Sequence, residues 1–226
     1  MKKLSEKTRR KIFIIINSSI FLFTAIVVPI TLIFGSVASR KDNLPFAYWQ
    51  HIATFTILSN IFMGVVALVA AVFGIIRLKT NRPLPKLLNT WYLVAATSVA
   101  LTFLTVICYL APSRALSGKN LFDMLTGPMF FLHFLDPILA VIAYIFFLDG
   151  QKATLKDRLF SLIPPALYAV PYAICVAIIR VIPDFYGLTF GGKYYLTSIV
   201  VAVFGLIVFG ISSLLSYCHN RQIALK

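Results

Sequence analysis

The chain has 226 residues, of which 60% are hydrophobic and only 12% charged, and its mean hydropathy is +0.91. So apolar a composition is well above what a soluble domain of this size can keep in water, which leaves an integral membrane protein. The formal charge of +14 does not mark a nucleic-acid binder, because a basic groove needs Lys and Arg clustered with stacking aromatics, and here they stand scattered at the ends of apolar runs.

Six runs reach the about 20 apolar residues that a helix needs to cross a bilayer: roughly 12–35, 52–76, 88–111, 129–148, 159–182 and 195–217. They predict one all-α domain over residues 1–226, a bundle of six transmembrane helices. The first run follows a basic start and precedes "GSVAS" at 35–39, as a signal peptide would. Its apolar stretch is too long for a signal h-region, so it is expected to be a span. The acceptor-like "NSS" at Asn17 then lies inside the bilayer. The second run opens with "FTILSN" at 55–60, which carries two hydroxyls and a carboxamide, Thr56, Ser59 and Asn60, where lipid can satisfy none of them. "KTNRPLPK" after it reads as a turn set by two prolines, and "DGQKATLKDR" after the fourth run as a polar, basic turn. The connections before the fourth and sixth runs, "PSRALSGKNLFDMLTGP" and "PDFYGLTFGGKYY", are richer, and either could cover a site.

Of the 21 Lys and Arg residues, 15 fall in the N-terminus, the second and fourth connections and the C-terminus. The positive-inside rule then expects both termini in the cytoplasm of a multi-pass protein of the cell membrane. Cysteine labelling checks this: positions of Lys79 and Lys152 are expected to react from the cytoplasmic side, and those of Lys119 and Lys193 from outside. Cys108, Cys175 and Cys218 form no CxxC pair and no metal-ligand spacing, so neither a disulfide framework nor a metal is expected. There is no phosphate-binding glycine loop, no GxSxG elbow and no HExxH helix, and no cofactor is expected.

Ionisable groups inside spans are costly and point to function. His133 and Asp136 in "FFLHFLDPILA" and Arg180 in "VAIIRVIPDF" are the three that stand out. The second and fourth runs both descend from the outer face. Thr56 lies about 7 Å into one and His133 about 6 Å into the other, at 1.5 Å per residue. One turn deeper come Asn60 and Asp136, each on its partner's helical face. Pro137 cannot donate to the carbonyl of His133, so the helix is expected to bend there, as backbone lining a pocket can. Pro164, Pro165 and Pro171 in the fifth run, with Tyr168 and Tyr172 on successive turns, would supply another wall. Each of these has an ordinary alternative. A span threonine usually bonds its own helix, a lone histidine joins helices as readily as it reacts, and Asp136 serves as counter-ion to Arg180 unless Arg180 reaches up to the headgroups.

"ATFTILSNIFMG", then "FLHFLDPILAV" and "YAVPYAI" with a Gly-rich external loop, resembles the androgen-induced FAR-type family of transmembrane hydrolases and its bacterial six-span relatives. In that family a Thr near the start of one span and a His near the start of a later one act together on lipid esters. The resemblance sets the family Thr on Thr56, the family His on His133 and the bending proline on Pro137. It implies hydrolysis of lipid esters, with membrane lipids as partners. Asp136 has no counterpart in the motif.

The chemistry suits these residues. A Thr hydroxyl attacks once a base takes its proton, and neutral His is such a base. The expected site is Thr56 as nucleophile and His133 as base, with Asp136 fixing the His tautomer. Asn60 or Tyr172 would donate to the oxyanion, and Tyr168 and Arg180 would stand on the substrate side. Two rivals remain: a lipid or solute carrier with His133 and Asp136 as a proton relay, and a structural protein whose polar groups only join helices. A carrier needs water paths to both faces. The inner halves of the second and fourth runs, "MGVVALVAAVFGII" and "ILAVIAYIFFL", read as almost wholly apolar, which favours a one-sided pocket.

Overall fold

A computed structural model describes residues 4–40, 54–118, 120–179, 184 and 192–225. They are mostly helical, with no strand among the described residues, and six helices are long and apolar enough to cross a membrane. We number these α1 (Glu6–Arg40), α2 (Phe55–Thr80), α3 (Lys86–Leu116), α4 (Pro128–Phe147), α5 (Leu155–Val176) and α6 (Tyr194–Ala224). The expected runs match these six in order. The largest difference is at the end of α6, which continues seven residues past the expected 217 into a polar stretch that holds His219 and Asn220.

Local chemistry sets the boundaries. Thr54 accepts from the backbone N–H of Ile57 and caps α2, which ends at Asn81 in the left-handed region (φ 56°), whose N–H bonds the Arg77 carbonyl. Thr154 and Asp157 form a reciprocal capping box at the start of α5. Hydrogen bonds join the start of α1 to the C-cap of α2 and the end of α4, the start of α3 to the loop after α4, and the end of α6 to Ala153 just before α5. The helices therefore alternate in direction, with both termini at one end of the bundle.

Helix α3 is the central post: 61% of its apolar window is inside the protein, against 11% for α5 and 17% for α6. Around it Met63, Tyr92, Leu93, Val99, Tyr144 and Leu148 make the core. The exterior is equally apolar, with Ile15, Leu22, Val65, Leu167, Ile178 and Leu206 all well exposed, the reverse of a water-facing surface. α1 and α2 approach closely where two glycines lie. A Cβ at Gly64 would stand 2.8 Å from Thr24 Cγ2, and one at Gly74 would stand 2.9 Å from Ile14 Cγ1. Small residues at such crossings let backbones pack without a side chain between them.

Candidate functional site

Two of the span prolines, Pro112 and Pro137, each follow a widened turn. In α3 a π-helical turn, Val106–Leu110, precedes Pro112, and in α4 another, Phe131–Leu135, precedes Pro137. In α4 the N–H of Asp136 reaches back five residues to the Phe131 carbonyl, and Pro137 has no N–H to offer. The Leu132 carbonyl is left without an intrahelical donor. Asn60 of α2 fills the gap: its Nδ2 donates to Leu132 O at 3.1 Å and to Thr56 O at 2.8 Å. The expected disturbance at His133 is thus a widened turn, and its cross-helix partner is the residue next to His133.

One consequence is geometric. Thr56 O and Leu132 O lie within bonding distance of a single nitrogen, and so are less than about 6 Å apart. The start of α2 and the His133 turn of α4 share one level of the bundle, the coincidence read from span depths.

The polar groups of "FTILSN" now divide. Ser59 donates to its own helix at Thr56 O (3.1 Å) and meets Thr102 Oγ1 of α3 at 3.0 Å. Asn60 joins α2 to α4, both of its N–H groups spent on backbone carbonyls, and its Oδ1 is a buried acceptor without a hydrogen bond. These two knit helices together. Thr56 is half-buried, and no hydrogen bond of its hydroxyl is present among the described residues, to His133 or to any other group.

His133 is 4% exposed, and its Nδ1 stands 2.8 Å from the Met124 carbonyl in the turn Leu121–Leu125 that precedes α4. A carbonyl only accepts, so Nδ1 carries the proton and Nε2 keeps the lone pair. The orienting role on His133 expected of Asp136 is therefore filled by the Met124 carbonyl of the "LFDML" turn, in one of the two connections singled out as a cover. Asp136 is fully buried and turns elsewhere: its Oδ2 accepts from Thr24 Oγ1 of α1 at 3.4 Å, while Oδ1 has no hydrogen bond. Tyr168 stacks on Tyr172, with ring centroids 5.5 Å apart, and meets Phe55 with rings tilted at 5.3 Å, so α5 does stand beside the first residue of α2. Tyr172 is 4% exposed and its hydroxyl donates to Asp184 Oδ1 at 3.1 Å. Arg180 lies outside the described residues, and with it any pairing to Asp136.

Three participants escaped the sequence reading. Thr24 is one of many span hydroxyls, and Met124 acts through its carbonyl, which every residue has. The third is a second polar layer near the end with both termini, where the inner halves of α2 and α4 had been read as apolar. Tyr144 lies inside "ILAVIAYIFFL". It stacks on His219 of α6 at 4.5 Å and on Tyr92 of α3 at 6.1 Å, and the Tyr92 hydroxyl donates to Asn17 Oδ1 of α1 at 2.9 Å. His219 Nδ1 is 2.9 Å from the Tyr144 carbonyl, and all four residues are fully buried. Asn17 and His219 were hidden because one was read only as a glycosylation motif and the other lay past the expected end of its span. Tyr92→Phe is expected to cost roughly 1 kcal/mol, by leaving the Asn17 carbonyl oxygen unsatisfied in the core; thermal unfolding in detergent measures it.

Two cavities lie at the end of the bundle with the termini, lined among others by Arg9, Arg10, Arg77 and Asp149. Thr56, Asn60, His133, Asp136 and Tyr172 line neither. The cysteines Cys108, Cys175 and Cys218 are free, and no cluster of three His, Cys, Asp or Glu residues suited to a metal exists among the described residues. What the fold defines is a protein with six helices, among the described residues, that are long and apolar enough to cross a membrane, as a multi-pass membrane protein has. Comparison with protein-family models, with curated proteins and with solved structures finds no match for the chain.

Proposed function

We propose that this is an intramembrane hydrolase of lipid esters, with Thr56 as nucleophile and His133 as general base in the outer-leaflet half of a bundle whose termini are cytoplasmic. The observation that carries the reading is that one spare hydroxyl and one spare imidazole lone pair belong to turns at the same level of the bundle. Thr56 alone of the "FTILSN" polar groups keeps its hydroxyl out of the helix-joining bonds, and His133, on the same level, is held with Nδ1 protonated. In the first step Thr56 Oγ1 bonds to the ester carbonyl carbon and its proton passes to His133 Nε2. The carbonyl–alkoxy bond then breaks, and the imidazolium gives that proton to the leaving alcohol. Water then adds to the acyl-Thr56 carbonyl carbon, giving up a proton to Nε2; the bond to Thr56 Oγ1 breaks, the imidazolium returns that proton to Oγ1, and the fatty acid leaves. Of the two candidate oxyanion donors, Tyr172 can turn from a half-buried carboxylate, whereas Asn60 would abandon buried backbone carbonyls. The proposed resemblance to the androgen-induced FAR-type hydrolases points to the same pair. The test is incubation of the purified protein with long-chain lipid esters, with mapping of the acyl adduct by mass spectrometry. The adduct is expected on Thr56. Hydrolysis undiminished by Thr56→Ala would remove it as nucleophile.

The carrier reading keeps a claim because of the inner polar layer of Asn17, Tyr92, Tyr144 and His219. Together with Thr24 and Asp136 it spreads buried polar groups along much of the bundle. Proton or lipid flux in proteoliposomes, measured beside ester turnover, separates the two: flux without turnover selects the carrier.

A further inference from the structure

We propose that the end of the bundle bearing both termini holds a binding site for a phosphate group, seated on Arg9, Arg10 and Arg77 in place of the Glu6 carboxylate. This site is at the opposite end from Thr56 and His133 and does not depend on the hydrolase reading.

Three guanidinium groups from α1 and α2 converge there. The side chains of Arg10 and Arg77 are only 14% and 15% exposed, yet Nε of Arg9, Arg10 and Arg77 is buried in each case with no hydrogen bond. Some of their other donors fasten α4 and its exit: Arg9 Nη2 donates to the Phe146 carbonyl, and Arg77 Nη1 to the Asp149 carbonyl at 2.7 Å. Arg10 Nη1 donates to Asn81 Oδ1 at 2.6 Å, and with five N–H groups each, the three arginines keep donors beyond these bonds. Two carboxylates face the three cations. Asp149 is embedded, its side chain 13% exposed and 3.6 Å from Arg77. Glu6 is different: its side chain is 65% exposed, and it bonds Arg10 while standing 3.8 Å from Arg77. It occupies the point between two forks where a tetrahedral phosphate, with an anionic oxygen for each fork, would bridge both arginines.

Space is present as well. A cavity of about 550 Å³ opens beside these groups, walled by Glu6, Arg9, Arg77 and Asp149 and by the apolar Leu4 and Ile223. A charged floor with an apolar rim suits a phosphate attached to something greasy, and basic pockets between helices on the cytoplasmic side hold anionic lipid headgroups in this way. A free phosphate-bearing solute shares the same chemistry.

The test is thermal unfolding of the full chain in neutral detergent, titrated with phosphatidylglycerol or phosphatidylcholine, and separately with inorganic phosphate against chloride at equal ionic strength. Phosphatidylglycerol is expected to raise Tm in a saturable way and phosphatidylcholine not to. Glu6→Gln should lower the half-saturating phosphatidylglycerol severalfold by removing the competing carboxylate. Arg9→Gln should raise it about tenfold, the scale of one charge-assisted hydrogen bond. A rise with inorganic phosphate and no preference between the lipids would assign the site to a soluble phosphate compound. Equal responses to both lipids and to both salts would overturn the proposal, as would variants that titrate like the parent chain. If Arg9→Gln does not fold, Glu6→Gln, at a largely exposed position, decides alone.

Discussion

Thr56→Ala and His133→Ala are each expected to remove nearly all ester turnover, by about 10³-fold or more, and the double variant to be little worse than either single one. Nucleophile and base act as a unit. Once the hydroxyl is gone the imidazole has nothing to deprotonate, and once the imidazole is gone the hydroxyl stays protonated. Asp136→Asn should be far milder, since Asp136 bonds Thr24 while the Met124 carbonyl holds the His133 ring. Initial rates on one lipid ester, with unfolding temperatures to show that each variant is folded, check all four proteins. Additive losses would mean that Thr56 and His133 serve separate purposes.

Gly64→Ala should produce the largest loss of stability for the smallest change in mass. Its new methyl would meet Thr24 Cγ2 at 2.8 Å, Cβ at 2.9 Å and Oγ1 at 3.1 Å, so α1 and α2 must part. Overpacking of this kind costs about 1–3 kcal/mol, and here it also disturbs the hydroxyl that serves Asp136. Since Cβ of Thr24 is itself too close, Thr24→Gly rather than Thr24→Ala is expected to restore stability in the double variant. Unfolding of the two single variants and the double one forms a cycle in which the double variant should lose much less stability than the two single losses added together. Independent, additive losses would place the collision elsewhere.

How far the fold could be read from the sequence depended on the kind of signal. Six apolar runs gave six helices because bilayer thickness sets span length, and the signal survives errors of several residues. α6 outran its expected end because His219, Asn220, Arg221 and Gln222 lower the hydropathy without breaking the helix. Pro137 was readable as a disturbance, and Thr56 and His133 as level, since both follow from chain geometry. Which partner each polar group takes was not readable. Asn60 and Ser59 look as reactive in the sequence as Thr56 does, and only the bonds to Leu132 and Thr102 show them joined to other helices. The partner of His133 is a backbone carbonyl, a group that no residue type announces.

The carboxamide of Asn60 and the ring of Pro137 are 77 positions apart in the chain, yet each makes sense only beside the other. With alanine at 137, the ordinary backbone bonds of α4 could close again, the Leu132 oxygen would return to its own helix, and the amide at 60 would lose a client. Asn60→Leu should therefore be costly in the parent chain and much cheaper once Pro137→Ala is present. The proline creates a debt in one helix that the asparagine of another settles, so the two residues should be lost or kept together.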